Sequence, residues 1–237
     1  GEAVRVLGID TTSKQGSLAW IEEGETPGTV SFEGGQKHSL HLFRAVERLL
    51  RERNRSLAEV DLFGVATGPG SFTGIRVGLA AVKGWAETLQ KPVAGISVLE
   101  AMVALGNPPT PWAVPVVNGG RGELYVAFFR SLAAGSRFQM EGEATVISDE
   151  DFPARFREKF SRQDDATLLT RAEEDLGARL NRIGCEGFLR EVIRRPLAQA
   201  VAALAAEGME GRRVGPAEEL RAYYIRRPDA ELHWKED

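Results

Sequence analysis

The sequence has one cysteine, three histidines and no long apolar run, and each scarcity excludes a class of protein. A single cysteine, Cys185, cannot form an internal disulfide and favours a reducing, cytoplasmic location. No apolar stretch approaches the roughly 20 residues of a membrane-spanning helix, so we expect no membrane association. Residues 1–10 enter a predicted strand without a basic and apolar leader, so we expect no signal peptide.

Histidine is too sparse to build a metal site. His38 and His41 are three positions apart and His233 is remote, whereas a metal site on one helix favours a spacing of four plus a further ligand. No Ser-His-Asp or Cys-His arrangement can be picked out, and the Gly-rich loop at 68–74 lacks the lysine of an NTP-binding loop. We therefore predict no catalytic residue, no metal and no cofactor.

The charge balance argues against a protein that grips nucleic acid alone. The net charge is −4, and 30 basic residues alternate with 34 acidic ones instead of forming a basic stripe. Neutralisation of phosphates supplies most nucleic-acid affinity, so any role on RNA would need a more basic partner. At 237 residues, 43% of them hydrophobic, the chain can bury the core of one large or two small domains.

Hydrophobic periodicity predicts a β-β-β-α-β-α-β-α order in the first half. The predicted elements are strands at 4–10, 16–21 and 29–32, a helix at 39–54, a strand at 59–66, a helix at 72–89, a strand at 92–96 and a helix at 98–105. This order is the half-unit of the ribonuclease-H-like fold. Tandem copies of that unit build the two-lobed actin/hexokinase/Hsp70-like α/β fold, which we predict here.

A proline-rich segment, residues 107–111, is the best candidate linker because its three prolines resist both helix and strand. It divides the chain into a ribonuclease-H-like lobe, residues 1–107, and a second lobe, residues 108–237. Beyond it we predict strands at 113–117 and 123–130 and helices at 151–160, 172–182 and 196–207. Because strong strand signals are few there, we expect the second lobe to be smaller and degenerate.

Two turns resemble places where actin-like enzymes hold phosphate. Asp10, Thr11 and Thr12 follow the first strand, and a carboxylate there could hold a metal, although the expected glycines are threonines. Alternatively, Asp10 and the hydroxyls cap a β-turn. In the second half, Asn118 precedes two glycines and is a poor ligand for Mg²⁺, and this segment is equally consistent with a hairpin turn.

The pattern of small residues on the 72–89 helix predicts a close helix–helix contact. Each glycine costs roughly 1 kcal/mol in a helix interior, so a helix that keeps several needs a packing reason. We predict a partner interface on this helix and its neighbour, built from His38, Leu42, Val46, Leu49, Gly74, Gly78, Ala81 and Trp85. Packing against the chain's own sheet is the alternative. If the interface prediction holds, Gly78→Leu should leave the chain folded but unable to dimerise.

The sequence resembles the TsaB (YeaZ) family of proteins for tRNA threonylcarbamoyladenosine biosynthesis. The matching motifs are LGIDTT at 7–12, KHS at 37–39, ATGPGSFTGIRVG at 66–78, RGELY at 121–125 and YIRRPDAE at 224–231. The GPGSFTGIR block is the most specific of these. The motifs span nearly the whole chain, and the first ~125 residues carry most of the resemblance.

This resemblance implies a non-catalytic partner subunit for transfer of a threonylcarbamoyl group to adenosine 37 of tRNA. It implies pairing with a TsaD-type catalytic subunit, joined by a TsaE-type ATPase, a homodimer in the absence of that partner, and tRNA contact only through the complex. Absence of a His-x-x-x-His pair agrees with TsaB and not TsaD. Asn118 departs from the family's usual Asp. The alternative is a small-molecule kinase or metallopeptidase of the same fold.

Overall fold

The computed structural model describes residues 3–34, 38–133, 137–160, 162, 164–211 and 214–225. Within these residues, strands form two sheets, and helices lie on and between them. The strands are β1 (Arg5–Asp10), β2 (Gln15–Glu22), β3 (Gly28–Glu33), β4 (Leu62–Gly68), β5 (Val93–Ser97), β6 (Trp112–Gly120), β7 (Glu123–Val126), β8 (Phe129–Ala133), β9 (Arg137–Met140), β10 (Thr145–Ser148), β11 (Ala166–Arg171), β12 (Leu189–Ile193) and β13 (Val214–Gly215). The helices are α1 (His38–Arg53), α2 (Phe72–Leu89), α3 (Val98–Gly106), α4 (Phe152–Lys159), α5 (Leu176–Arg182) and α6 (Leu197–Gly211).

The first sheet has the strand order β13-β5-β4-β1-β2-β3. An antiparallel meander, β1 to β3, adjoins the parallel pairs β1–β4 and β4–β5, whose connections run through helices. The predicted element order and fold class are therefore confirmed. The short strand β13, which was not predicted, comes from the C-terminal part of the chain and adds antiparallel to β5.

Helices cover both faces of the first sheet because its strands are apolar on both sides. In β1, Leu7 and Ile9 join the core under α1 and α2, while Val6 joins the opposite core with α3 and α6. Helix α6 lies unusually close to the sheet. A Cβ added at Gly8 would lie 2.5 Å from the carbonyl oxygen of Ala198, so only glycine permits this approach.

The second sheet has the order β10-β7-β6-β11-β12, with β8 beside β6 and β9 beside β8. Its inner face packs on α3, and its outer face holds α4 and α5 over an aromatic core that includes Phe152, Phe156 and Phe188. The strand predicted at 123–130 is two strands, β7 and β8. Both pair with β6, but β7 also pairs with β10 and β8 with β9. Strands β9 to β12 were not predicted. This half is therefore richer in strands than expected.

The chain passes from the first sheet to the second between α3 and β6, at the proposed linker 107–111. After β12 the chain returns to the first sheet, because α6 packs on β1, β4 and β2, and β13 extends that sheet. The division into lobes at 1–107 and 108–237 stays a prediction. Any such division has to assign α6 and β13 to the first sheet in space.

A membrane crossing needs a helix that is both long and apolar. Within the part of the chain that the structure describes, no helix combines the two properties.

Candidate functional site

The turn after β1 is closed by its own side chains. Asp10 ends β1 and is fully buried. Its Oδ1 accepts hydrogen bonds from the backbone N–H of Thr12 at 2.9 Å and from the Thr12 hydroxyl at 2.6 Å. These contacts are those of a capped turn, in which a carboxylate satisfies the backbone two residues on. One oxygen of Asp10, Oδ2, is left to face the second sheet.

Arg171 fills the space in front of this carboxylate. It ends β11 of the second sheet and is 3% exposed. Its Nη2 donates to Asp10 Oδ2 at 2.7 Å and to Ser13 Oγ at 3.0 Å, and its Nη1 donates to Thr12 Oγ1 at 2.9 Å. The guanidinium therefore joins the two sheets through a buried, hydrogen-bonded ion pair.

Two glutamates that follow Arg171 complete the cluster. Arg171 Nε donates to Glu173 Oε1 at 2.6 Å, and the same oxygen lies 3.1 Å from Ser13 Oγ. Glu174 Oε2 accepts the backbone N–H of Asn118 at 2.8 Å. Burial opposes the charge of Arg171, but Asp10, Glu173 and Glu174 outweigh it, so the pKa of Arg171 is raised. Burial also raises the pKa of Glu174, although Arg171 favours its carboxylate.

The second predicted phosphate turn is occupied in a similar way. Asn118 Oδ1 accepts from the Gly120 N–H at 2.9 Å and from Arg179 Nη1 at 2.8 Å. Arg179 in turn pairs with Asp149 at 2.7 Å. Asn118 thus holds a hairpin turn together, and Glu174 occupies the backbone donor that an anion would use.

The residues of this cleft do not fit a metal beside Asp10. A divalent cation of the Mg²⁺ type needs free carboxylate oxygens, and both oxygens of Asp10 already accept hydrogen bonds, one of them from a cation. No group of three or more His, Cys, Asp or Glu side chains among the described residues could hold a metal ion.

The histidines singled out in the sequence are not gathered into one site among the described residues. His41 Nδ1 lies 2.6 Å from the carbonyl oxygen of Glu33. The His38 side chain and His233 lie outside the described residues.

The Gly-rich loop at 68–74 packs against the Asp10 turn. Ser71 N–H donates to the carbonyl of Thr12 at 2.6 Å, and Thr11 Oγ1 donates to the carbonyl of Gly74 at 2.7 Å. A Cβ on Gly70 would lie 2.3 Å from that Thr12 carbonyl, and the φ of Gly70 is +155°. The loop therefore connects the turn to the first residues of α2, and Ser71 caps that helix by accepting from the Gly74 N–H.

The predicted partner interface needs correction. Leu42, Val46 and Leu49 are buried in the chain's own core, where α1 packs on β2 and β3. Gly74 and Gly78 are buried as well, and a Cβ on Gly78 would lie 2.4 Å from Thr11 Oγ1. These five residues face this chain's sheet, which was the alternative considered. Ala81 and Trp85 are partly exposed, and nothing is described for the His38 side chain.

The opposite side of the two helices carries exposed and partly exposed apolar groups, which we call the outer α1–α2 face. It comprises Leu40, Phe43, Val77, Ala80, Ala81, Gly84 and Trp85. Leu40 is 44% exposed and Phe43 is 52% exposed, whereas a large apolar side chain is usually buried. Phe43 meets Trp85 edge to face with ring centroids 5.7 Å apart, which ties the two helices together.

Sequence reasoning missed Arg171, Glu173 and Glu174. A signal was present, since the buried run of β11 ends in a charged residue as β1 ends in Asp10. The parallel between the two strand ends could have suggested that they face each other. It could not have shown that Arg171 is the partner of Asp10, because 161 positions separate the two residues along the chain.

Cys185 is buried and chemically quiet. Burial raises the pKa of its thiol to about 11, which leaves roughly 100-fold less thiolate than a thiol at the ordinary value of 9.0. We expect alkylation by iodoacetamide at pH 8 to be at least about 100-fold slower in the native protein than in the urea-unfolded chain. Rapid stoichiometric labelling of the native protein would contradict this. The cytoplasmic location inferred from the single cysteine stays a prediction.

Comparison with known proteins agrees with the resemblance seen in the motifs. The family model described as "TsaD: tRNA N6-adenosine threonylcarbamoyltransferase" matches residues 24–148. The TsaB proteins of Bacillus subtilis and Escherichia coli are 28% and 27% identical over 125 and 146 residues. The matched regions cover 53% and 60% of this chain and 55% and 62% of those proteins. The chain thus spans less than two thirds of the length of these relatives.

The relatives include catalytic proteins and solved structures. The tRNA N6-adenosine threonylcarbamoyltransferase of Thermus thermophilus is 29% identical over 164 residues, which is 60% of this chain and 50% of that protein. The solved structure of YeaZ from Pseudomonas aeruginosa superposes with a TM-score of 0.75 at 21% identity, covering 93% of this chain and 99% of that one. This similarity shows a shared fold.

The motif residue Lys37 and most of the 224–231 motif lie outside the described residues.

Proposed function

Because the chain belongs to the TsaD-type family of tRNA N6-adenosine threonylcarbamoyltransferases, and within it to the TsaB (YeaZ) group, we propose that it is a non-catalytic subunit for tRNA threonylcarbamoyladenosine biosynthesis. It pairs with a TsaD-type catalytic subunit and is joined by a TsaE-type ATPase. It reaches tRNA only through that complex, and it forms a homodimer when the partner is absent.

The observation that carries the non-catalytic role is the ion pair between Arg171 and Asp10. An actin-like enzyme uses the carboxylate after its first strand, with the adjoining turn, to handle a metal and phosphate. Here the carboxylate is fully buried and paired at 2.7 Å with a guanidinium that arginine keeps charged at any ordinary pH. Both turns that could meet phosphate are occupied by side chains of this chain.

The pairing role is supported by the outer α1–α2 face. Exposed Leu40 and Phe43 supply apolar area, and the small residues Ala80 and Gly84 on α2 permit close approach of another helix. Two such faces would form a four-helix contact related by a two-fold axis in a homodimer. A related partner of the same fold could present a similar helix pair, which is why one face can serve both assemblies.

Reconstitution tests the proposal directly. The purified chain is assayed for ATP hydrolysis and, with an activated threonylcarbamoyl donor supplied, for modification of tRNA, alone and after addition of the TsaD-type and TsaE-type proteins of the same organism. We expect no activity from the chain alone and tRNA modification only when all are combined. ATP hydrolysis by the chain alone would favour the kinase or peptidase alternative instead. Full modification by the other subunits without this chain would contradict the partner role.

A further inference from the structure

We propose that residues 171–174 form an internal ligand of the cleft between the two sheets, which holds the sheets closed and thereby fixes the position of α2. Arg171 stands where a cation would meet Asp10. Glu173 and Glu174 supply the acceptor oxygens that phosphate would supply, to the Ser13 hydroxyl and to the Asn118 N–H. Because α2 carries part of the outer α1–α2 face, its position also affects binding of the partner. This second half of the inference rests on the proposed function.

The cluster of Asp10, Arg171, Glu173 and Glu174 can hold the two sheets together because its charges are buried and paired with one another. We call this cluster the lock. Asp10 is fully buried and Arg171 is 3% exposed, so neither charge has water to replace a lost partner. The guanidinium uses all three of its nitrogens, two on the first sheet's turn and one on Glu173. Removing one member of such a pair leaves an uncompensated buried charge, which is far more costly than removing an exposed pair.

The lock reaches α2 through the Asp10 turn. Arg171 fixes the hydroxyl of Thr12, and the carbonyl of Thr12 accepts the Ser71 N–H next to the start of α2. Thr11 donates to the Gly74 carbonyl in the first turn of α2 and packs against Gly78 one turn further along. Movement of the turn therefore moves the helix that carries Val77, Ala80 and Gly84 on its outer side. Arg171 acts on the partner surface as a positioning residue.

The first test is thermal unfolding with chemical rescue in the full chain. Arg171→Ala is expected to lower the Tm by about 10 °C. Guanidinium chloride at a few millimolar, far below denaturing concentrations, should recover part of that loss in Arg171→Ala while leaving the wild-type Tm unchanged or lower. Sodium chloride at the same ionic strength should not. The matched control is Arg162→Ala, which removes an exposed arginine paired with Asp164 and should shift the Tm by no more than about 2 °C.

A second variant covers the case in which Arg171→Ala does not fold. Arg171→Lys keeps the charge but loses the planar fork that contacts Asp10 and Thr12 together, so it should still fold with a smaller loss of Tm. Guanidinium should not rescue it, because the lysine side chain fills the space. A Tm of Arg171→Ala or Arg171→Lys equal to that of wild type would overturn the lock.

The second test measures binding to the TsaD-type subunit by calorimetry or light scattering. We expect Arg171→Ala to bind at least about tenfold more weakly than wild type and to regain affinity in millimolar guanidinium. If the Tm falls while the affinity does not, the lock does not position α2 and that half of the inference is wrong. If the wild-type chain fails to bind, the proposed pairing is wrong, while the unfolding and rescue experiment still decides the lock.

Discussion

Gly78→Leu is expected to lower the free energy of unfolding by about 3 kcal/mol or more, with a destabilised fold as the main result. A Cβ at this position would lie 2.4 Å from Thr11 Oγ1, which donates to the Gly74 carbonyl within the same contact. The leucine therefore has to displace a buried hydroxyl and break its hydrogen bond. Urea unfolding followed by circular dichroism measures the loss.

A matched glycine on the same helix is the control. Gly84 lies six residues, or nearly two turns, further along α2, and a Cβ there would meet no atom within 4 Å. Gly84→Ala should raise the free energy of unfolding by about 0.5–1 kcal/mol, since alanine is the better helix former. Opposite signs at the two positions would support the packing described here. If Gly78→Leu were as stable as wild type, α2 would not lie against the Asp10 turn.

The burial of Gly78 against Thr11 replaces the expectation drawn from the sequence, which placed Gly78 on a partner interface. Helical periodicity identifies which residues share a stripe, but it does not say what the stripe meets. Leu42, Val46 and Leu49, which were placed in the predicted interface, share one stripe of α1, and that stripe meets the sheet. The outer face is a weaker pattern, because Ala80 and Gly84 are small, Val77 and Trp85 are half-buried, and only Leu40 and Phe43 are both large and exposed.

Most of the first sheet was accessible from the sequence. Strands β1 and β2 are apolar, and α2 begins and ends within the predicted bounds. The second sheet was harder, because its strands carry weak signals. Strand β9 has no buried residue and β12 has one, so neither alternates. Strand β11 is buried throughout and only six residues long, which periodicity cannot separate from a short buried helix.

The candidate site was half predictable. Asp10, Thr11 and Thr12 were singled out as a turn after the first strand, and the structure shows the capped turn that was one of the two alternatives. A vestigial phosphate role for them stays a prediction. The partner of Asp10 was not predictable, because Arg171 is distant in sequence and sits among other arginines and glutamates. Asn118 was identified as a hairpin or a degraded phosphate turn. Only the fold shows that Glu174 uses its backbone N–H.

Ala80→Arg is expected to abolish both the homodimer and the complex with the TsaD-type subunit, with an affinity loss of at least about 100-fold. Ala80 is exposed on α2 between Val77 and Gly84, so an arginine there is compatible with the folded chain. In a close helix–helix contact the same arginine would place an unpaired charge among Leu40, Phe43 and their counterparts, which costs several kcal/mol. Size-exclusion chromatography with light scattering measures both assemblies.

The matched control for this variant is Ala154→Arg. Ala154 is also an exposed alanine in a helix, but α4 lies on the outer face of the second sheet, away from α1 and α2. The two variants add the same charge and the same side chain, so a nonspecific effect of arginine would appear in both. We expect Ala154→Arg to bind and dimerise as wild type does, and circular dichroism should give wild-type helix content for both. An Ala80→Arg protein that is folded and still forms either assembly with unchanged affinity would place that interface elsewhere on the molecule.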